Sequence, residues 1–160
     1  MSESERIAVT RTVDGGADEI FAVLADPGKH TELDSSSMLR GLASGTTLSA
    51  VGDEFIMNMH NDFLGDYQIR NTVVACQPGE KIGWAPALYP EGSHDDKLGG
   101  MKPGGHTYTW ELTPAGPGKT TITQIYDWSE VKDPQFKGLF PMLNETQLGE
   151  SIDRAARAAT

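Results

Sequence analysis

Residues 106–128, HTYTWELTPAGPGKTTITQIYDW, decide the fold predicted for this chain. Apolar and polar side chains alternate in residues 107–113 and again in residues 120–128, with Pro114 to Gly118 between the two runs. Alternation with a period of two is typical of a strand with one buried face, and a break rich in Pro and Gly is typical of a turn. The stretch therefore predicts an antiparallel hairpin whose buried face is aromatic.

Further extended runs precede this hairpin. They cover residues 38–50, 54–60, 67–76 and 81–84, and a first alternating run covers residues 5–13. The connections between neighbouring runs after residue 38 lack the crossover helices that parallel strands need, so every pair is expected to be antiparallel. The sequence thus predicts seven strands. Its long stretch from Pro86 to Gly105, rich in glycine and proline, is expected to be a mobile loop.

Helical signals occur between the first two strands and at the end of the chain. Helical spacing of apolar residues predicts a short helix over residues 17–25. Asp26-Pro27 resembles a cap with proline in the first turn, and it predicts a second short helix that ends near Asp34 to Ser37. Asp133-Pro134 repeats this signal before a short helical turn. Asn144 and Gln147 form a capping box that opens the last helix.

The order of these elements, together with several short motifs, resembles the START-like (SRPBCC) superfamily and its polyketide cyclase/dehydrase-like branch. The motifs are ADEIFAVLADP at 17–27, VGDEF at 51–55 and QPGEKIGW at 77–84, followed by residues 105–112, 120–123 and 148–155. The resemblance covers nearly the whole chain. It implies an α+β helix-grip fold: a seven-stranded antiparallel sheet wrapped around a C-terminal α-helix, with two short helices between strands 1 and 2. It also implies one domain over residues 1–160 that binds or transforms a small molecule.

Composition narrows the classes of partner. The chain has 160 residues, 23 acidic and 13 basic side chains, and a formal net charge of -10. A surface of this charge disfavours nucleic acid as a partner. Its only cysteine, Cys76, cannot form an internal disulfide and is expected to be a small buried apolar residue. Neither a secretory signal nor an apolar run long enough for membrane insertion is visible, so the predicted location is the cytoplasm.

The inward-facing positions of the predicted sheet form a wide aromatic face, while the helix expected to cover it carries the small residues Gly149, Ala155 and Ala156. A concave sheet under a thin helix favours an internal cavity, although small residues also permit close packing. Few acidic residues fall on inward positions, which favours a neutral apolar ligand over an anionic one. The predicted ligand-binding residues are Phe55, Met57, Met59, Ile69, Asn71, Trp84, His106, Tyr108, Trp110, Gln124, Tyr126, Leu148 and Ile152.

Candidate catalytic groups are few. His106 could exchange a proton with a bound carbonyl or enol because an imidazole titrates near neutral pH, and the Tyr108 and Tyr126 hydroxyls are further candidates. His30 and Asp34, four residues apart, could form an acid-base pair at the rim of a pocket or a surface contact, and the surface contact is favoured. The histidine-containing motifs at residues 60–62 and 94–96 do not match a metal-ligand spacing. No metal or cofactor is predicted, and the absence of a nucleophile elbow disfavours a covalent hydrolase.

Three functions are compatible with this pattern. The favoured one is binding of a medium-sized hydrophobic or aromatic metabolite, such as a polyketide, isoprenoid or lipid-like molecule, between the sheet and the C-terminal helix. The stretch from Pro86 to Gly105 would then act as a lid. The alternatives are a cyclase, aromatase or dehydratase that uses the same cavity, and a protein-interaction module of the chaperone-activator type, which predicts a filled interior. The sequence leaves the identity of the ligand and the oligomeric state open.

Overall fold

A computed structural model describes residues 5–34, 38–90 and 92–159 of the chain. The strands are β1 Arg6–Asp14, β2 Leu39–Ser44, β3 Glu54–Asn61, β4 Gly65–Gln77, β5 Lys81–Tyr89, β6 Thr107–Pro114 and β7 Lys119–Asp127. The helices are α1 Ala17–Leu24, a 3₁₀ helix Pro27–Glu32, α2 Asp95–Leu98, α3 Pro134–Lys137 and α4 Glu145–Ala158. This element order confirms the prediction of two short helices between strands 1 and 2 and of a C-terminal helix.

The seven strands form one antiparallel sheet in the order β1-β7-β6-β5-β4-β3-β2. Consecutive strands from β2 to β7 are neighbours, and β1 closes the order by pairing with β7. The predicted hairpin of residues 106–128 has the register that places Tyr108 opposite Tyr126 and Trp110 opposite Gln124. An α+β helix-grip fold is therefore confirmed.

Alternation along the strands separates the two faces of the sheet as the sequence predicts. In β7, Thr120, Ile122, Gln124 and Tyr126 are buried, while the intervening residues are only half-buried. Since successive side chains of a strand point to opposite faces, the buried set of each strand faces the helices. Cys76 differs from expectation, because its side chain is only half-buried at the margin of the core.

The C-terminal helix begins at the capping box that the sequence predicts. Asn144 Oδ1 accepts a hydrogen bond from the Gln147 amide at 2.9 Å, and Gln147 Oε1 accepts one from the Asn144 amide at 2.9 Å. From this start α4 runs over β1 and β7 and beside α1. Gly149 has a packing role, because the Arg11 guanidinium of β1 lies against it and pairs with Asp153 at 2.5 Å.

Two predicted strands have the wrong length. The strand predicted over residues 38–50 ends at Ser44, because the chain leaves the sheet after Gly45, whose close approach to Phe55 leaves no room for a side chain. Leu48 then donates its amide to the Ala25 carbonyl at 2.7 Å and is buried against the end of α1. The strand predicted to stop at Trp84 continues as β5 to Tyr89.

The predicted loop from Pro86 to Gly105 is consequently shorter than expected, since it contains the end of β5 and the single helical turn α2. Its mobility stays a prediction. Residues 35–37, where the second helix was predicted to end, lie outside the described residues. Every helix in the described ranges is too short or too polar to cross a membrane.

Candidate functional site

A cavity of about 710 Å³ lies over the inner face of β3, β4, β5 and β6. The 3₁₀ helix contributes His30 to its wall, and the segment between β5 and β6 contributes Leu98 and Met101. Phe136 of α3 and Ser151 of α4 line the opposite side. Because α4 lies mainly over β1 and β7, the centre of the sheet keeps an uncovered concave surface, and this surface forms the cavity.

Ten of the thirteen predicted ligand-binding residues line this cavity. They project from the five strands β3 to β7, or in the case of His106 from the residue before β6, at the inward positions that the alternation indicates. They are Phe55, Met57, Met59, Ile69, Asn71, Trp84, His106, Tyr108, Trp110 and Gln124. Their contact with a ligand stays a prediction, but the geometry brings them to one wall.

The other three, Tyr126, Leu148 and Ile152, do not line the cavity. Tyr126 and Leu148 belong to a second apolar cluster with Trp128, and Ile152 belongs to the main core. All three side chains are at most 1% exposed. The reason is the position of α4, whose apolar stripe packs toward β1, β7 and α1 rather than over the middle of the sheet.

Four buried polar atoms in the cavity wall have no hydrogen-bond partner among the described residues. They are Asn71 Oδ1, His106 Nδ1, Trp110 Nε1 and Gln124 Oε1. Asn71, Trp110 and Gln124 are 3%, 2% and 5% exposed. Buried polar groups in proteins are nearly always paired, and an unpaired one is destabilising. A polar ligand atom could pair with each of them, so these atoms mark where a ligand would be recognised.

His106 lies among aromatic rings. Its imidazole is 5.1 Å from the Phe140 ring, 5.7 Å from Phe136 and 5.8 Å from Tyr108, measured between ring centroids. Burial lowers the pKa of His106 to about 4. The expectation that this imidazole titrates near neutral pH is therefore wrong, and the ring is uncharged at neutral pH.

The two tyrosines proposed as catalytic candidates form a stacked pair. Their ring centroids are 4.9 Å apart, with an interplanar angle of 2°. The Tyr126 hydroxyl accepts a hydrogen bond from the Met142 amide at 3.2 Å. Its oxygen therefore already has a partner in the segment that leads into α4. Burial raises the pKa of both hydroxyls, that of Tyr108 well above its usual value. Both groups therefore remain protonated at neutral pH.

His30 lies in the cavity wall, which is closer to the predicted pocket-rim alternative than to the favoured surface contact. The side chain is 5% exposed, and its Nε2 lies 2.8 Å from the Leu24 carbonyl oxygen. The ring stacks on Trp84 with centroids 4.9 Å apart and meets Phe55 edge-on at 5.2 Å. Burial lowers the pKa of His30 to about 4, with the Leu24 carbonyl and Asp26 opposing the change.

The mouth of the cavity is apolar. Phe63, Leu139 and Met142 line it and are 60%, 52% and 42% exposed. The segment between β5 and β6 is fastened to the β3–β4 turn, because Lys97 Nζ donates to the Leu64 carbonyl at 2.9 Å. Asp34 and Lys97 are the charged side chains of the wall as far as the structure describes it.

A second groove, of about 550 Å³, lies between the start of α1 and the β4–β5 turn. Asp18, Glu19 and Glu80 line it, and all four of the unpaired buried atoms belong to the larger cavity instead. Within the described ranges, no group of three or more His, Cys, Asp or Glu side chains could hold a metal ion.

These features define an open helix-grip domain with an internal, mostly apolar cavity. No protein-family profile matches the chain. Two curated relatives, uncharacterized proteins Rv0088 and MT0096 of Mycobacterium tuberculosis, are each 32% identical over 123 residues. The match covers 77% of this chain and 47% of each relative, so the chain spans about half their length.

Several solved structures share the fold of nearly the whole chain at low sequence identity. A protein from Arthrobacter aurescens has a TM-score of 0.68 at 14% identity, covering 98% of this chain and 86% of that one. Protein Ms6760 from Mycobacterium smegmatis has a TM-score of 0.66 at 12% identity, with coverages of 97% and 90%. DynU16, a protein in the dynemicin biosynthetic locus, has a TM-score of 0.57 at 16% identity, with coverages of 97% and 47%. At such identities the likeness shows the fold, which is compatible with the SRPBCC resemblance.

Proposed function

We propose that this protein binds a neutral, medium-sized hydrophobic or aromatic metabolite in the cavity over β3 to β6. The observation that carries the proposal is the cavity of about 710 Å³, whose aromatic and aliphatic wall contains four unpaired buried polar atoms. Apolar pockets of several hundred Å³ with a few polar groups are typical of small-molecule sites. Polyketides, isoprenoids and lipid-like molecules meet this description.

Electrostatics favours a neutral ligand. His30 and His106 are uncharged at neutral pH because burial lowers the pKa of each to about 4. Asn71, Trp110 and Gln124 carry no charge. An anionic ligand would therefore lose its hydration without gaining a cationic partner in the deep part of the cavity, which is costly. Lys97, which lines the wall, is exposed and lies near the mouth.

Thermal shift and native mass spectrometry against a panel of neutral aromatic, isoprenoid and polyketide-like compounds test this proposal. We expect the melting temperature to rise with neutral members of the panel. A matched carboxylate should need at least a tenfold higher concentration to give the same rise. Leu88→Trp places a larger side chain in the cavity and reduces its volume, so it should weaken binding at least tenfold. Val74→Trp, at an exposed outward position of β4, is the matched control and should bind like the wild type.

Two results would contradict the proposal. One is the absence of any bound molecule or melting shift across the whole panel. The other is equal binding by Leu88→Trp and the wild type, because it would place the binding event outside the cavity.

A cyclase, aromatase or dehydratase activity in the same cavity is the second candidate, and the observation in its favour is the unpaired Nδ1 of His106. A pKa of about 4 leaves this imidazole uncharged at neutral pH, so it is a poor general acid and a weak base, which favours binding over acid-base catalysis. Unchanged turnover of an identified substrate by His106→Ala would exclude a catalytic role. A chaperone-activator type of module predicts a filled interior, and the observed cavity disfavours it.

A further inference from the structure

We propose that Trp110 and Gln124 form a recognition site for a hydroxyl group of the ligand. This inference rests on the proposed function and names the chemical class that the cavity selects. The two residues are directly opposite each other on β6 and β7. In such a pair the Cβ atoms are about 5 Å apart, so both side chains reach the same part of the cavity.

The unpaired atoms of this pair are complementary. The indole Nε1 of Trp110 can only donate a hydrogen bond, and the amide oxygen of Gln124 can only accept one. Both atoms are buried and neither has a partner among the described residues, so they do not bond to each other. One group that both accepts and donates would satisfy the two atoms at once.

A hydroxyl meets this requirement, whereas other common oxygen groups do not. A ketone, an ether or an ester oxygen accepts from Trp110 but leaves Gln124 Oε1 unpaired. A carboxylate also only accepts, and it adds an unpaired charge. The site therefore selects a neutral alcohol or phenol over its ketone, methyl ether or acid counterpart. A site built to bond a hydroxyl discriminates strongly against analogues that lack it.

The other unpaired atoms do not provide this selectivity. Asn71 is opposite Pro86 on β5, and His106 precedes Trp110 by four residues, or roughly 13 Å along an extended chain. Asn71 Oδ1 accepts, and His106 Nδ1 can accept or donate according to the tautomer of the ring. These atoms can bind a second polar group, but the direct donor-acceptor pair lies at Trp110 and Gln124.

The test compares three small neutral probes that share the naphthalene ring system: naphthalene, 2-methoxynaphthalene and 2-naphthol. Their dissociation constants are measured at neutral pH by displacement of a fluorescent probe and by titration of the tryptophan indole resonances. A merely apolar cavity prefers the methyl ether, because it is the more hydrophobic compound. We expect the wild type to reverse this order and to bind 2-naphthol at least tenfold more tightly than 2-methoxynaphthalene.

Two variants remove one half of the pair each. Gln124→Met keeps the length of the side chain without the acceptor, and Trp110→Phe removes the donor. Each should abolish the preference for 2-naphthol, while affinity for naphthalene changes less than threefold in Gln124→Met. Gln77→Met is the matched control, since it makes the same substitution at an exposed residue of β4 outside the cavity lining, and it should retain the preference. Gln124→Met carries the test if the larger change at Trp110 prevents folding.

The outcomes separate this inference from the function on which it rests. If the three probes bind the wild type but 2-naphthol is not preferred, or if Gln124→Met keeps the preference, the hydroxyl site is wrong and the apolar cavity stands. If none of the probes binds, the proposed function fails and the hydroxyl site fails with it.

Discussion

At the scale of single residues, His30 connects the end of α1 to the wall of the cavity. Its Nε2 bonds to the Leu24 carbonyl at 2.8 Å, and its ring packs on Trp84 and Phe55. Because the imidazole is uncharged at neutral pH, the nitrogen that bonds to the carbonyl oxygen is the protonated one, and it donates. The carbonyl belongs to the last turn of α1, where helical carbonyls have no partner within the helix.

Replacing His30 by phenylalanine should therefore destabilise the protein even though the aromatic stack is retained. His30→Phe leaves the Leu24 carbonyl buried without its donor, which typically costs about 1–3 kcal/mol. Urea unfolding should show a lower midpoint with an unchanged slope. His60→Phe is the control, because His60 is 39% exposed and its partner Asp66 is exposed too, and we expect a change within about 0.5 kcal/mol. Equal stability of both variants would contradict this role for His30.

The different outcomes for His30 and Gln124 show what the sequence can predict at this scale. Gln124 lies in a strand whose alternation fixes the face of every residue, so its inward orientation follows from its position in the run. His30 lies in a 3₁₀ helix of six residues, which has no comparable periodicity. Its burial depends on tertiary contacts with β3 and β5, residues distant in sequence, and no local pattern indicates them.

At the scale of elements, α4 determines which part of the sheet is covered. The helix begins at the Asn144–Gln147 capping box and carries Leu148 and Ile152 into the apolar interior. The sequence predicts the start of this helix and its apolar stripe, since both signals are local. It does not predict where on the sheet the helix lies, and for that reason Leu148 and Ile152 were assigned to the cavity instead of the core.

Loss of the cap should weaken α4. Asn144→Ala removes the side-chain acceptor of the Gln147 amide, and we expect a loss of about 1 kcal/mol in the free energy of unfolding. Asn144→Asp is the matched control, because it retains an acceptor and adds a negative charge that the helix N-terminus favours. Amide hydrogen exchange in the first turn of α4 should accelerate in Asn144→Ala only. Wild-type exchange and stability in the alanine variant would exclude a stabilising role for the capping box.

β5 shows a second limit of sequence patterns at this scale. The predicted strand ends at Trp84 because the stretch from Pro86 to Gly105, rich in glycine and proline, is expected to be a loop. β5 nevertheless continues to Tyr89, because only Lys81–Trp84 pair with β6, whereas the residues beyond pair with β4. Proline is tolerated where one side of a strand has no neighbouring strand to receive its missing hydrogen bond. This arrangement places Pro86 and Leu88 in the cavity wall.

At the scale of the whole molecule, the protein is strongly acidic but the deep wall of its cavity is uncharged. The formal net charge is -10, yet the deep wall of the cavity is formed by uncharged side chains and two neutral imidazoles. Protonating either imidazole in the folded state would place a charge in an apolar environment. The folded protein therefore resists protonation at His30 and His106 more than the unfolded chain does.

Stability should consequently fall as the pH is lowered from about 6.5 to about 4. The folded pKa of each imidazole is about 4 and the ordinary value is 6.5, so the unfolded chain binds more protons throughout this window. Each imidazole then contributes a slope of about 1.4 kcal/mol per pH unit near the middle of the window. The lowered pKa values of Asp14, Asp53 and Asp133 add to this loss below about pH 5, so the range above pH 5 reports the histidines. Urea unfolding at fixed ionic strength measures the free energy of unfolding as a function of pH, and His30→Phe should reduce the slope of this dependence by about half.

A flat free energy across the window, or an unchanged slope in both His30→Phe and His106→Phe, would contradict the assignment of neutral buried imidazoles.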